Sequence, residues 1–450
     1  MQMSTSWPVV TPADVRGAME RVFGYPGFLA NQEQIISALL ARRDAFAVMP
    51  TGAGKSLCYQ LPACLLPGTC VVISPLISLM KDQVDALRGR GVRAEHLNSS
   101  LDTEQRARVL RALEAGHCDL LYVAPERFAM PRFRQTLDRV RICLFAIDEA
   151  HCISEWGHDF RPDYLALDGI TAQLPQVPVL GVTATATLQV AQDIVRRLAL
   201  RRPQTVRASF DRPNLFYEAV SSEDRDTEIL SFLRQHRGES GIVYRTTRKD
   251  VEETARLLQA QGVQALPYHA GMETEMRKAH QDAFDRDEVE VIVATIAFGM
   301  GIDKPNVRFI LHGDLPKNVE AYYQETGRAG RDGAPAHCLL LFGWEDTSRI
   351  RYFINKMEDR REKRIAWRKL DDMLSLARAR SCRRRRLLAY FGEHYSAANC
   401  GACDICTGRR SVRPRFPAFA GREMDKRWWR RLAGGSGQDF EGAACGAARD

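Results

Sequence analysis

The segment Met49–Ser56, MPTGAGKS, constrains the fold more than any other part of the sequence. It follows an apolar run typical of a buried strand and precedes a helical pattern, the setting of a phosphate-binding loop. Its glycines let backbone N–H groups close around phosphates, and the N-terminus of the next helix adds favourable partial charge. The strict pattern has Gly where this chain has Met49, which changes the subclass of the loop and not its assignment. An ordinary structural turn is the alternative.

The residue types in this loop suit a nucleoside triphosphate with Mg²⁺. The ammonium group of Lys55 would reach the β- and γ-phosphates, and the hydroxyl group of Ser56 would help to hold the metal ion. The positions expected to contact the nucleotide are Thr51, Gly52, Gly54, Lys55 and Ser56.

Short apolar runs alternate with amphipathic stretches, as in parallel α/β units. Ten runs read as buried strands: Ala45–Met49, Cys70–Ser74, Leu120–Val123, Ile142–Ile147, Val179–Val182, Gly241–Tyr244, Ala265–Tyr268, Val289–Ala294, Phe309–His312 and Cys338–Phe342. Helical patterns such as Leu76–Arg88 and Lys249–Gln261 lie between them. The predicted fold class is α/β, with two tandem parallel-sheet lobes at 1–208 and 209–343, a small helical cysteine-containing module at 344–407 and a basic, poorly ordered tail at 408–450.

The net charge of +8 is unevenly distributed along the 450 residues. Lys and Arg far outnumber Asp and Glu between 349 and 431, whereas the rest of the chain is net acidic. A concentrated basic region favours a polyanion partner, and a solvated surface or basic tail is an equally good interpretation at this point. No apolar stretch is long enough to span a membrane, and no signal peptide is visible, so we expect a cytoplasmic protein without a membrane partner.

Two further motifs complete a hydrolytic site. Asp148 and Glu149 directly follow a predicted strand, where an open α/β sheet presents its ligand-binding groups. Asp148 would hold Mg²⁺ and Glu149 would orient and deprotonate the attacking water. Late in the second lobe, Arg328 and Arg331 are three residues apart, which predicts neighbouring positions on one helical face. They could stabilise the γ-phosphate from across a cleft; two surface arginines are the alternative.

Four of the twelve cysteines have the spacing of a metal site. Cys400, Cys403 and Cys406 form two consecutive C-x-x-C steps, and Cys382 precedes them by 18 positions. Four thiolates can surround Zn²⁺ tetrahedrally, but the spacing also permits an iron–sulfur cluster or reactive thiols. Seven others read as buried thiols of a cytosolic protein: Cys58, Cys64, Cys70, Cys118, Cys143, Cys152 and Cys338.

Together these motifs resemble superfamily-2 helicases, and the residues around them resemble the RecQ family of DNA helicases over about 15–406. The likeness rests on Phe23–Tyr25, Gln32–Glu33, Thr51–Gln60, Ser74–Val84, Ala124–Arg127, Asp148–Pro162, Thr183–Ala186, Tyr268–Gly271, Val293–Asp303 and Tyr322–Gly333. The resemblance implies two RecA-like lobes followed by a zinc-binding domain with one cysteine on a helix and three in the following loop. It therefore favours structural Zn²⁺ at the cysteine group.

The resemblance also implies roles for residues around the nucleotide. Tyr25 would stack on adenine, Gln32 would hydrogen-bond its edge, Asp303 would join the ATP site, and Gln324 would act with the two arginines. The chain departs from the family at Leu29, where an arginine commonly helps to sandwich the base. We expect ATP affinity to be weaker by about a factor of ten, the scale of one 1.4 kcal/mol contact.

The strand path is implied in the same way. The segment Cys152–Pro162 resembles the family's aromatic-rich loop, which couples strand binding to ATP hydrolysis, and aromatic side chains suit stacking on bases of any sequence. Hydroxyl groups and cations elsewhere would bind phosphates without reading bases. The expected DNA-contacting or coupling residues are Ser74, Lys81, Arg127, His151, Trp156, His158, Phe160, Arg161, Thr246, His269 and Thr295.

The expected function is ATP-dependent 3′-to-5′ DNA unwinding in repair or recombination. The expected partners are single-stranded and partially duplex DNA and a single-strand-binding protein, and the expected state is a monomer, associated with the nucleoid if bacterial. Too few residues follow Cys406 for a winged helix, so a short form with weak unwinding is expected. Two other hypotheses stay open: a translocase or annealing factor that separates no strands, and a non-catalytic DNA-binding protein. The intact motifs argue against the latter.

Overall fold

The computed structural model describes residues 7, 9–75, 77–169, 175–299 and 304–408. The first lobe is a seven-stranded, wholly parallel sheet in the order β3-β4-β2-β5-β6-β1-β7. Its strands are β1 Ala45–Val48, β2 Thr69–Ile73, β3 Ala94–Leu97, β4 Leu120–Val123, β5 Ile142–Ile147, β6 Val179–Thr183 and β7 Gln204–Arg207. The central strands are buried along their whole length because helices cover both faces of a parallel sheet.

The second lobe is a six-stranded parallel sheet in the order β10-β11-β9-β12-β13-β8. Its strands are β8 Leu215–Ser221, β9 Gly241–Tyr244, β10 Ala265–Tyr268, β11 Val291–Ala294, β12 Phe309–His312 and β13 Ala336–Phe342. Both sheets place the carboxyl ends of their strands at one edge, where ligand-binding loops of such sheets lie. The two parallel sheets confirm the predicted α/β fold class.

Helices connect the strands as crossovers in both lobes. The first lobe contains α1 Pro12–Ala18, a π-helical turn at Met19–Phe23, α2 Gln32–Leu40, α3 Leu57–Leu65, α4 Ile77–Gly89, α5 Thr103–Glu114, α6 Pro131–Leu137 and α7 Leu188–Arg197, with 3-10 turns at Pro125–Ala129, Ala150–Ile153 and Pro162–Gly169. The second contains α8 Arg225–Gln235, α9 Arg248–Ala260, α10 Thr274–Asp285 and α11 Val319–Thr326. Within the described residues, no helix combines the length and apolar character needed to cross a bilayer.

Helices α12 Trp344–Asn355, α13 Arg360–Ala377, α14 Arg383–Tyr390 and α15 Asp404–Thr407 follow the second sheet. This region packs on the edge strand β8: the backbone N–H of Tyr217 donates to the carbonyl of Ala402 at 3.2 Å. Arg383 is buried and donates to both carboxylate oxygens of Asp404 at 2.6 and 2.8 Å. The cysteine-containing region therefore covers a sheet edge that would otherwise present unpaired backbone groups.

Three strands were not predicted from the sequence: β3, β7 and β8. Each lies at an edge of its sheet, and β3 and β7 are only partly buried. Edge strands need no continuous apolar run because one side meets solvent or another element. The ten predicted strands are present, with ends that differ from the prediction by at most two residues. Apart from residue 408, the predicted tail lies outside the described residues.

Candidate nucleotide site and its neighbouring surfaces

The phosphate loop joins β1 to α3 as predicted. Gly52 and Gly54 have φ values of +83° and +69°, the left-handed region that glycine enters without steric cost. Ser56 directly precedes α3, so its hydroxyl group lies at the helix N-terminus. Met49 is fully buried, which explains its departure from the strict pattern: its side chain contributes to the core and leaves the loop to the glycines. The Lys55 ammonium group donates to the Met49 carbonyl at 3.3 Å.

The acidic pair lies at the carboxyl end of β5, two strands away from β1 in the sheet. Burial raises the pKa of Asp148 to about 7, and the charge of Glu149 adds to the rise. Burial alone would also raise the pKa of Glu149, but His151, Lys55 and Arg328 together lower it. The Nδ1 atom of His151 lies 3.2 Å from the Glu149 carboxylate. Glu149 is therefore ionised and suited to act as a base, whereas the pKa of Asp148 stays above its ordinary value although Lys55 and His151 lower it.

The two arginines do not lie on a helical face, and that expectation is wrong. Helix α11 ends at Thr326, and Arg328 and Arg331 belong to the turn that follows it. Gly330 has a φ of +56°, so the chain leaves the helical conformation between the two arginines. Arg328 donates to the backbone carbonyl of Gly299, which fixes its guanidinium group within the second lobe.

The two lobes contact each other beside the phosphate loop. The side-chain amide of Gln324 donates to the hydroxyl group of Thr185 at 3.3 Å, and Thr185 lies two residues after the end of strand β6 of the first sheet. A Cβ added at Gly327 would lie 3.9 Å from the Cβ of Thr51, so the end of α11 faces the loop. This contact surface between the lobes, from Thr51 and Thr185 on one side to 324–331 on the other, is called the seam below.

Arg331 completes the seam. Its Cγ atom lies 4.0 Å from the position that a Cβ would take at Gly52. Burial lowers the pKa of Lys55, the acidic pair opposes that effect, and the charge of Arg331 lowers the pKa further. The structure thus brings together the phosphate loop, the acidic pair, Gln324 and both arginines.

The residues expected around the base also reach the loop. Gln32 is buried, accepts from the backbone N–H of Leu29 at 2.8 Å and donates to the carbonyl of Gly54 at 3.0 Å. Tyr25 stacks beside Phe23 with ring centroids 6.3 Å apart. Asp303, expected in the same site, lies outside the described residues.

In the first lobe, Ser74 and Arg127 follow the adjacent strands β2 and β4, so both lie at the same edge of the sheet. Lys81 is exposed on α4, which begins three residues after Ser74. Arg127 is buried, and its guanidinium group donates to the carbonyl of Asn98 at 2.9 Å. The side chain of Arg127 is therefore engaged within the lobe, whereas Lys81 faces solvent.

In the second lobe, Thr246, His269 and Thr295 follow β9, β10 and β11, which are neighbours in the sheet. The three residues therefore share the carboxyl edge, as a strand path across the sheet requires. Thr246 is exposed. His269 is buried, and its Nε2 atom lies 3.2 Å from a carboxylate oxygen of Glu252, so its ring is already paired inside the lobe.

The aromatic-rich segment lies on the first lobe after the acidic pair. Trp156 and Phe160 are both half-buried, so part of each ring is accessible. Arg161 contacts the carboxylate of Asp159 at 3.0 Å and donates to the carbonyl of Pro75 at 3.0 Å. The bond from Arg161 to Pro75 connects the aromatic-rich segment to the loop after β2, which contains Ser74, another expected strand contact.

His158 lies at the seam. Its ring stacks on His151 with centroids 4.1 Å apart, and it hydrogen-bonds Gln324. Burial lowers the pKa of His158 well below the ordinary value, and the charge of His151 adds to this effect. A neutral ring in this place suits a link between the aromatic-rich segment and the seam better than a contact with a phosphate.

The four predicted metal ligands come together. The Sγ atoms of Cys382, Cys400, Cys403 and Cys406 all lie within 4.8 Å of one another. Three backbone N–H groups donate to these sulfur atoms at 3.4–3.5 Å, as outer partners of metal-bound thiolates do. The expected placement needs correction: Cys382 precedes α14, and Cys406 lies inside the one-turn helix α15 instead of a loop. The donor set fits a tetrahedral ion.

Family models match three consecutive parts of the chain. A DEAD/DEAH box helicase model matches residues 29–194, and a helicase conserved C-terminal domain model matches 224–333. A RecQ zinc-binding model matches 344–407, which include all four cysteines. The chain belongs to the RecQ family. For a member of this family, the cysteine group is a zinc site, and the alternative of an iron–sulfur cluster can be set aside.

Bacterial RecQ proteins match most of the chain. The ATP-dependent DNA helicase RecQ of Haemophilus influenzae is 47% identical over 388 residues, covering 86% of this chain and 62% of the relative. The protein of the same name from Bacillus subtilis is 43% identical over 392 residues, covering 87% of this chain and 66% of the relative. The chain thus spans about three fifths to two thirds of the length of the curated relatives it matches.

Solved structures of more distant proteins show the same fold. Dbp5 of Saccharomyces cerevisiae, bound to RNA and ADP BeF3, is 17% identical with a TM-score of 0.58, covering 80% of this chain and 98% of that one. Mss116p, bound to ssRNA and AMP-PNP, is 17% identical with a TM-score of 0.62, covering 77% and 75%. The two parallel sheets of this RecQ member are therefore RecA-like lobes.

Sequence reasoning gave no role to two residues of this RecQ seam. Arg212 donates to the carbonyls of Gly327, Ala329 and Gly330 at 3.2, 2.8 and 3.0 Å, and so holds the turn that carries the arginines. Thr185 accepts from Gln324. Thr185 lies in a segment that resembles the family, which is a usable signal, whereas Arg212 is one of many arginines without a motif.

Proposed function

We propose that this chain binds ATP with Mg²⁺ in the seam, hydrolyses it, and uses the cycle to move 3′-to-5′ along single-stranded DNA and to unwind duplex DNA. The observation that carries the proposal is the approach of Arg331 to the phosphate loop from the opposite lobe. A site made of two halves can close on the triphosphate and reopen after hydrolysis. The kinship with ATP-dependent DNA helicases supports the same substrate and activity.

In this proposal Lys55 and the N–H groups of the loop hold the phosphates, and Tyr25 and Gln32 hold the base. Glu149, ionised and 3.2 Å from His151, orients the attacking water and takes its proton. Arg328 and Arg331 stabilise the charge that develops on the transferred phosphoryl group, with Gln324 positioned between the lobes.

Ser56 and Asp148 would hold Mg²⁺. The residues fit the ion, because Asp148 is buried at the carboxyl end of β5 and, with the hydroxyl group of Ser56, offers oxygen ligands of the kind that Mg²⁺ takes. When bound, the ion neutralises phosphate charge. Zinc, in contrast, would act structurally by tying α14 to the 400–407 segment, since four cysteine ligands leave no open position.

The residues expected to contact the strand are proposed for two neighbouring surfaces. In the first lobe these are Ser74, Lys81, Arg127, Trp156, Phe160 and Arg161, and in the second they are Thr246, His269 and Thr295. Accessible aromatic faces and hydroxyl groups suit a motor that must step over any sequence. His151 and His158 are proposed as the coupling residues between this surface and the seam.

The division into 1–208, 209–343, 344–407 and 408–450 is part of the proposal. A monomeric state, a single-strand-binding protein as partner, a cytoplasmic and nucleoid-associated location, and a role in repair or recombination also stay proposals. Sedimentation of the full chain with and without DNA measures the oligomeric state directly.

The test is the ATPase rate of the wild type and of Lys55→Ala, with and without single-stranded DNA, together with gel-resolved unwinding of duplexes with a 3′ or a 5′ tail. We expect DNA to stimulate hydrolysis, Lys55→Ala to lower the rate by about two to three orders of magnitude, and only the 3′-tailed duplex to be unwound. The exposed Lys249 provides a control as Lys249→Ala.

Three results would contradict the proposal in different ways. Hydrolysis that DNA does not stimulate would contradict the coupling of ATP hydrolysis to movement along DNA. Stimulated hydrolysis without strand separation would leave a translocase. Strand separation from a 5′ tail alone would reverse the polarity.

A further inference from the structure

Helix α13 of the zinc-containing region contacts both lobes through one side chain. The ammonium group of Lys369 donates to the backbone carbonyl of Gly157 in the aromatic-rich segment, and it lies 3.6 Å from Oε1 of Glu320 at the start of α11. The Lys369 side chain is only 13% exposed. One residue outside the RecA-like lobes therefore joins the proposed strand-binding segment of the first lobe to the helix of the second lobe that leads to the arginines.

On the first lobe, the contact lies at a tightly folded stretch of backbone. A Cβ at Gly157 would lie 2.4 Å from the carbonyl oxygen of His151 and 2.9 Å from that of Ser154, so the backbone is tightly folded there. The N–H of Gly157 donates to the Ser154 carbonyl at 2.8 Å. Any shift of Trp156 therefore moves Gly157 with it.

On the second lobe, the contact lies on the helix that enters the seam. Glu320 is 3% exposed, and its Oε2 atom has no hydrogen-bond partner within the part of the chain that the structure describes. Gln324 follows one helical turn later on the same face, and it reaches Thr185 across the seam. A displacement of Glu320 is therefore transmitted along α11 to Gln324 and to the turn with Arg328.

A cavity of about 340 Å³ lies beside this contact, lined by Trp156, Leu188, Glu320, Lys369, Tyr390 and Gly392, among others. Two turns before Lys369 on α13, the guanidinium group of Arg361 lies 2.8 Å from Glu155 and 5.2 Å from the centre of the Trp156 ring. Arg361 is about half exposed, so its ion pair contributes little. The cavity thus leaves the aromatic-rich segment room to move. Of the two contacts from α13, the buried contact of Lys369 is the one that would transmit this movement.

We propose that Lys369 is a positioning residue that transmits movement of the aromatic-rich segment to α11 when a strand binds, and so sets the placement of Gln324 and the arginines for hydrolysis. The inference rests on the proposed function, and it adds the zinc-containing region to the coupling path. Lys369 has no contact with nucleotide in this account, so its removal changes the response to DNA and not the hydrolytic step itself.

The test compares Lys369→Met, Lys369→Arg and Arg368→Met in the full zinc-loaded chain. The readouts are the ATPase rate without DNA, the maximal rate with single-stranded DNA, the affinity for a labelled strand by anisotropy, and the melting temperature. For Lys369→Met we expect basal rate and strand affinity within about twofold of wild type and at least a tenfold loss of stimulation. Lys369→Arg should recover most of the stimulation, and the exposed neighbour Arg368→Met should behave as wild type.

Lys369→Met leaves Glu320 buried without its cation, which can destabilise the fold. The double variant Glu320→Gln with Lys369→Met removes both charges and should show the same loss of stimulation at an unchanged melting temperature. Full stimulation in both variants would overturn the inference while leaving the proposed function intact. Parallel loss of basal and stimulated rates would also overturn it, because that pattern marks a purely structural role. If single-stranded DNA did not stimulate the ATPase rate of the wild type, both the proposed function and this inference would be contradicted.

Discussion

Glu149 has a φ of +46°, a left-handed conformation for a residue with a side chain. Such a conformation costs on the order of 1–3 kcal/mol and persists where the surroundings fix it. Here the backbone N–H of Glu149 donates to Asp148 at 2.9 Å, and His151 faces the carboxylate. At the scale of single residues, the site combines an ionised base, a buried carboxyl group with a raised pKa and a half-buried lysine within one small region.

Leu29 is the residue at which the chain departs from its family around the base. Its side chain lies beside the phosphate loop, with Cδ1 3.4 Å from the position of a Cβ at Gly54. We predict that Leu29→Arg tightens ATP binding by about tenfold, because a guanidinium group there can stack on the base. Isothermal titration with a non-hydrolysable ATP analogue measures the change, with Leu29→Met as the size-matched control. Equal affinities for all three proteins would contradict the stacking explanation.

Central elements were predictable from the sequence, and elements at the edges were not. Strands such as β5 are apolar along their whole length because both faces are covered, so a continuous apolar run marks them. Strand β8 was missed although it starts the second sheet, since its outer edge pairs with 402–404 and that partner is distant in sequence. The placement of the arginines on a helix was wrong because their helical spacing continues past Thr326, whereas the helix ends there and Gly330 turns the chain.

The site was predictable to the extent that its motifs are contiguous. The phosphate loop, the acidic pair and the four cysteines each occupy a short segment whose spacing carries the chemistry. Contacts between distant segments left no comparable pattern: Arg212 on the arginine turn and Lys369 on Gly157 depend on the packing of separate elements. No spacing pattern in the sequence indicates that these distant segments contact each other.

A buried arginine, as well as the metal ligands, holds the cysteine-containing region together. Arg383 pairs with Asp404, and its guanidinium group also donates to the carbonyls of Leu376 and Ala377 at 2.9 and 3.0 Å. We predict that Arg383→Met destabilises the zinc-loaded protein by about 3–5 kcal/mol, because Asp404 stays buried without its cation. Denaturant unfolding followed by far-UV circular dichroism measures the loss. The exposed Arg380→Met is the control, and equal stability of the two variants would show that the pair contributes little.

At the scale of the whole molecule, the two lobes and the zinc-containing region contact one another at two places, the seam and the surroundings of Lys369. The lobes meet at the seam through Gln324 and Thr185, and α13 reaches both lobes through Lys369. A change at the nucleotide can therefore alter the spacing of the lobes, and a change at the strand can reach the nucleotide by a second route. In the proposed function, the RecA-like lobes supply the hydrolytic groups, and the zinc-containing region completes the connection between them.

The central claim is that the second lobe supplies catalytic charge to a nucleotide bound by the first. The most direct measurement is steady-state ATP hydrolysis by Arg331→Ala with saturating single-stranded DNA, alongside ATP affinity by titration. The exposed Arg286→Ala, on the same lobe, is the control. We predict that kcat falls by about a thousandfold or more while the Kd for ATP stays within about threefold of wild type. A kcat within threefold of wild type would contradict the account, since the seam would then take no part in hydrolysis.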